Sequence, residues 1–193
     1  MFGQIKNIID RIDLSQALAK SVAVLLSYQL GSWLTFHLHE HSAYIGAMLA
    51  CTSCIVVIQK GSLEDSEKLA WLRIVGTFLG AVMAFIYLLL FPFSVVGMIV
   101  AIFLLDLVCM MLRVPDNGKI ASITLVTILI VSEYSSDLSP AMNGLLRFLE
   151  AAIGTSIGIL AVWVLLFIGR KKELRQRDAA APPEKPTEPD KIK

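Results

Sequence analysis

Six apolar stretches account for most of this chain: Gln16 to Phe36, Ala43 to Ile58, Ala70 to Phe91, Phe93 to Leu112, Ile120 to Tyr134 and Leu145 to Ile168. A helix that crosses a bilayer needs roughly 20 mostly apolar residues, and six such runs joined by short connections define an all-α integral membrane protein with six transmembrane helices. Composition points the same way. Of the 193 residues 56% are hydrophobic and 17% charged, with a mean hydropathy of +0.71, whereas a soluble domain carries about a quarter charged residues. At this length no sizeable enzyme domain fits beside the spans. The chain also shows no nucleophile paired with a base, no phosphate-cradling glycine loop and no nucleotide motif, so the expectation is a protein that is not an enzyme and needs no cofactor. A net charge of +1 gives no basic face for nucleic acid.

The basic residues orient the spans. Lys6, Arg11 and Lys20 before or at the first span, Lys60, Lys68 and Arg73 around the second connection, Arg113 and Lys119 around the fourth, and eight more from Arg170 onward fall on one side, with Arg147 alone on the other. By the positive-inside rule both termini are expected in the cytoplasm. The first span begins about fifteen residues in with no cleavage site after it, so it is expected to be retained. Residues 1–14 alternate Phe2, Ile5, Ile8, Ile9 and Ile12 with polar groups, the pattern of an amphipathic interfacial helix. Residues 15–170 form the transmembrane domain. Residues 171–193 run from a basic segment suited to anionic headgroups into a proline-rich stretch expected to be disordered.

Displacing the chain by 74 residues lays Asp65 on Ser139, Arg73 on Arg147, Gly80 on Gly154 and Ala84 on Gly158. Asp65 and Ser139 each suit a helix amino-terminal cap. The displacement superposes spans one to three on four to six. Because three is odd, the second copy would be inverted, giving repeats of about 15–91 and 92–168. Secondary transporters are commonly built this way, with the substrate between the repeats. The second and fifth spans are the shortest and carry small or hydroxyl residues, among them Thr52, Ser53, Thr124 and Thr127. These are substrate-site candidates, although the stripe from Ala43 to Cys54 is equally what close packing in lipid requires. Gly76, Gly80, Gly154 and Gly158 at four-residue spacing read as helix-packing positions, with the partner helix open between this chain and another copy.

At Arg73-Ile-Val-Gly-Thr-Phe-Leu-Gly80 and Arg147-x-x-Glu150-x-x-x-Gly154-x-x-x-Gly158 the sequence resembles one six-span unit of the fusaric acid resistance (FUSC) and aromatic acid exporter superfamily of inner-membrane proteins, over roughly residues 15 to 170. The resemblance implies export of aromatic or other organic carboxylates from the cell inner membrane, in some members with a periplasmic adaptor protein. Many members duplicate the unit or add a cytosolic domain. A single unit therefore implies self-association as a homodimer or larger assembly.

Ionisable groups at membrane depth are candidates for function. Asp106 lies roughly 10 Å in from Arg113 by helical rise and reads either as a proton-coupling carboxylate or as half of a structural ion pair with Arg113 or Arg73. Arg147 and Glu150, one turn apart, can pair with each other, and counting outward from Arg170 puts Glu150 near the outer, solvated boundary. Arg73 and Arg147 at opposite ends of a pseudo-symmetric bundle would draw an anion from either side. His37, His39, Glu40 and His41 read as an interfacial loop, with no metal site expected. The reading as a whole is a proton-coupled exporter of small organic anions in contact with membrane lipid. A passive anion channel and a non-transporting scaffold subunit are the alternatives.

Overall fold

The computed structural model describes residues 14–58, 62–134 and 138–180. They form six α-helices: α1 (Leu14–Leu38), α2 (Ala43–Val57), α3 (Leu63–Leu90), α4 (Val95–Met111), α5 (Gly118–Tyr134) and α6 (Pro140–Ala180), with single 3-10 turns before α2 and α5. Among the described residues there is no strand. Each apolar run of the sequence falls on one helix. By length and composition Glu40–Val57, Leu63–Leu90 and Pro140–Arg170 are long and apolar enough to cross a membrane, while the apolar α4 is shorter at 17 residues. The expected amphipathic helix at 1–14 and the proline-rich end of the chain lie outside the described residues, save that α1 begins at Leu14 and α6 runs on to Ala180.

Side chains set the helix boundaries. Ser62, in extended backbone, accepts from the Asp65 amide at 3.3 Å and donates to Asp65 Oδ2 at 3.0 Å. Ser62 is thus the cap of α3, and Asp65 is its third-position partner rather than the cap the sequence suggested; a serine hydroxyl reaches an orphan amide while the acid answers the helix dipole. Ser139 does cap α6, accepting from the Met142 amide at 3.3 Å, with Pro140 in the first turn, where its missing N–H costs nothing. The end of α4 is closed by paired reverse bonds, Arg113 N to Met110 O and Val114 N to Cys109 O. Arg113 sits at φ 59°, the left-handed cap conformation that glycine usually supplies.

Packing is organised around α3 and α6, which lie against each other. Helix α6 also packs on α1 and α2, and α3 on α5, with α4 held more lightly by α5 and α3. Two buried apolar clusters follow. One joins Ala81 and Ala84 of α3 to Leu105 of α4 and Leu125, Ile128 and Leu129 of α5. The other joins Ala23 of α1, Cys54 and Ile58 of α2, and Val162 of α6. Helix α3 is therefore packed into α4 and α5, and α6 into α1 and α2.

The glycines make these crossings possible, because a backbone without Cβ lets a neighbouring helix approach closely. A Cβ at Gly80 would meet the Ala121 carbonyl of α5, and one at Gly154 the Ala50 carbonyl of α2; Gly76 faces Ile120 and the Asn117 carbonyl, and Gly158 faces Val57 and the Cys54 carbonyl. Both stripes are thus consumed inside one chain. They are not the contact with a second copy that self-association through them would have used.

Candidate functional site: a cavity between two arginines

A polar layer is buried within this bundle. Arg147 and Glu150 on α6 are 1% and 0% exposed, and Arg73 on α3 is 7% exposed. The placement of Glu150 at a solvated boundary is therefore corrected: α1, α2 and α3 all lie against α6 and enclose that turn. Arg147 Nη1 pairs with Glu150 Oε2 at 2.8 Å. Glu150 Oε1 accepts from Thr35 Oγ1 of α1 at 2.7 Å. Gly46 of α2 lies against the same two groups, and a Cβ there would collide with both Thr35 and Glu150.

On its other side Arg147 is oriented by Asn143, whose Oδ1 accepts from Nε at 3.1 Å. Asn143 in turn donates to Ile128 O at 3.1 Å and Ser132 Oγ at 2.9 Å of α5. Nη2 of Arg147 is buried with no hydrogen-bond partner among the described residues. A guanidinium has five donors, so this one is aimed but incompletely used.

Arg73 is placed differently. Its Nε donates to Ser53 Oγ of α2 at 3.0 Å, while Ser53 donates to Leu49 O at 2.7 Å. The ion pairs among the described residues are Lys68 with Glu64 and Arg147 with Glu150, so no described carboxylate answers Arg73.

Both arginines line one small cavity of about 10 Å³, together with Leu49, Thr77, Ile123, Thr124, Thr127 and Ala151, about the room one water needs. The threonine protons are committed to the carbonyls of their own helices, Thr77 to Arg73 O, Thr124 to Ile120 O and Thr127 to Ile123 O. The donors left for an occupant are the guanidinium groups. Chemically this is a preorganised, positively charged hole in a low-dielectric interior, where a charge-assisted hydrogen bond to an anion is strong.

The structure thus brings together Arg73, Arg147, Glu150, Ser53, Thr124 and Thr127. It does not bring Thr52, which is exposed on α2 and bonded to Leu49 O. Asp106 is also elsewhere: half-buried on α4, it forms no ion pair with Arg113 or Arg73. Its carboxylate lies against Gly118, where a Cβ would come within 2.9 Å of Oδ1. Gly118 is the first residue of α5, and a helix amino terminus favours negative charge. At the end of α1, His37 contacts Trp33 O and His39 contacts Ser42 Oγ, and no group of three metal-ligating side chains forms among the described residues. Sequence reasoning missed Thr35 and Asn143. The spacing of Asn143 four residues before Arg147 was a usable signal, because such a pair shares a helix face; Thr35 offered none.

Neither a curated protein nor a solved structure matches this chain. Residues 19–168 do match a family described as fusaric acid resistance protein-like, and with the apolar helices this marks a multi-pass membrane protein. That span takes in all but the ends of the six-helix bundle, and the chain belongs to the fusaric acid resistance protein-like family.

Proposed function

We propose that this protein exports small organic carboxylates across the cell inner membrane, binding the anion between Arg73 and Arg147. The observation that carries the reading is one cavity lined by two guanidinium groups, of which Arg147 is paired with Glu150 and Arg73 with no described carboxylate. Buried charge without a counter-ion is costly, and an anionic substrate supplies the missing partner. The cavity is water-sized, so an aromatic acid enters only if helices separate. Opening to one side at a time distinguishes an exporter from a continuous pore.

The inverted repeat fits this reading. The pairing of α2 with α6 has its counterpart in that of α5 with α3, and α1 on α2 in α4 on α5. Gly80 lies against Ala121 and Thr124 as Gly154 lies against Ala50 and Ser53, about one helical turn out of the 74-residue register. In this reading α1 to α6 all cross the bilayer, both termini are cytoplasmic, the coupling ion is a proton carried at Asp106 on the lightly held α4, and copies associate through lipid-facing surfaces rather than the glycine stripes. A periplasmic adaptor would dock at the outer side.

The test is flux of labelled benzoate in proteoliposomes with and without an imposed pH gradient. Uphill, gradient-driven movement that Arg73→Gln abolishes supports the reading. Purely downhill conductance makes the protein a channel, and no flux in any condition removes transport altogether. Asp106→Asn should retain exchange and lose uphill movement; unchanged uphill movement excludes Asp106 as the coupling site.

A further inference from the structure

We infer that Glu150 is a built-in counter-anion that sets the charge the central cavity accepts at a single negative charge, which makes it a charge-selectivity residue for the occupant. The inference rests on the anion-binding reading above and adds to it the number of charges. Two guanidinium groups line one cavity, and one carboxylate is paired with Arg147 at 2.8 Å. One positive charge is left in excess. The carboxylate is not free to swing aside, since Thr35 of α1 donates to its second oxygen at 2.7 Å and Gly46 of α2 closes over both. Three helices thus hold this carboxylate in place against one arginine.

An occupant with one carboxylate cancels the excess at Arg73, while Nη2 of Arg147 stays buried and without a partner. A second carboxylate on the occupant finds its arginine already neutralised and the Glu150 charge close by. Like charges brought together in a protein interior repel far more than in water, enough for a preference of about tenfold. Removing the Glu150 charge should reverse that penalty, because two unneutralised guanidinium groups then face the cavity. Arg73→Gln should do the opposite and leave a site with no excess charge.

The experiment compares benzoate with isophthalate, which put one and two carboxylates on the same ring, against full-length wild type, Glu150→Gln and Arg73→Gln. Binding is read as the shift each anion gives to the unfolding midpoint in detergent, and transport as flux in proteoliposomes. Wild type should favour benzoate by about tenfold or more. Glu150→Gln should shift the ratio toward isophthalate by about tenfold or more, and Arg73→Gln should be stabilised by neither anion. If Glu150→Gln is too unstable to purify, Arg73→Gln still decides: benzoate stabilising it as well as wild type overturns the inference. An isophthalate-to-benzoate ratio unchanged by Glu150→Gln also overturns it, even if both anions are transported, and leaves the transport reading standing. Charge-ordered binding without flux removes transport and leaves Glu150 in this role. Absence of binding by either anion to wild type overturns both.

Discussion

Arg73 on α3 and Arg147 on α6 each lie seven residues before a glycine that admits a neighbouring helix, Gly80 and Gly154, yet their surroundings differ. Arg147 is held by Glu150, by Asn143 and, through Glu150, by Thr35. Arg73 has one neutral hydroxyl, Ser53. One side of the cavity thus carries a neutralised cation and the other an uncompensated one. The difference teaches that two similar backbone crossings can carry different charge, and that the excess charge resides at Arg73.

The comparison is broken most directly by deleting each arginine in turn. Arg147→Ala strands a fully buried carboxylate and should cost about 3–5 kcal/mol, read as a large fall in folded yield and in the unfolding midpoint in detergent. Arg73→Ala strands no described carboxylate and should cost much less. The double variant Arg147→Gln with Glu150→Gln should recover part of the loss; equal destabilisation by the two single alanine variants would show that the arginines are not in different charge environments.

Overpacking the crossings sharpens the backbone side of the comparison. Gly80→Leu and Gly154→Leu each place a side chain against a carbonyl of the facing helix and should cost about 3 kcal/mol apiece, with similar values in the two halves. A large inequality would argue against equivalent crossings. Thr35→Val removes one hydrogen bond to an ionised, buried acceptor and should cost about 2 kcal/mol. Ser53→Ala removes the matching bond on the Arg73 side and should cost only about 1 kcal/mol, because a cavity water can replace the hydroxyl. A reversal of these last two, measured by chemical or thermal unfolding, would mean that the Arg73 contact is the tighter one.

Much of this was legible in the sequence, for specific physical reasons. The six helices follow from runs of apolar chain, and the capping of α6 from Ser139-Pro140. The glycine spacing marked close crossings, and Arg73 and Arg147 stood out as cations in apolar surroundings. What was not legible is which face each helix turns inward. In a soluble helix the polar face points out; here Leu89, Val96 and Phe103 are exposed while Leu105, Leu125 and Ile128 are buried, and the chemistry of the two sets is the same. Burial of Glu150 could not be read from its distance to Arg170, because depth along a helix says nothing about which helices surround it. Thr35, between Leu34 and Phe36, gave no sign of facing a carboxylate 115 positions away. The extent of α3 and α6 beyond their apolar runs was also hidden, since Ser62 and the basic segment after Arg170 extend helices by capping and propensity rather than by hydropathy.

The 41 residues of α6 have a mechanical consequence. At about 1.5 Å per residue the helix is roughly 60 Å long, twice the thickness of a hydrocarbon core, and Glu150 sits in its first third. From Gly154, where α6 meets α2, to Ala180 is about 39 Å, the first part of it packed on α1 and α2 through Gly158 and Val162. A tilt of about 10° at the Gly154 crossing would carry the far end through roughly 7 Å. A rearrangement around the arginine pair that tilted α6 would thus be felt at the end of the helix, and a load applied there would act on the cavity.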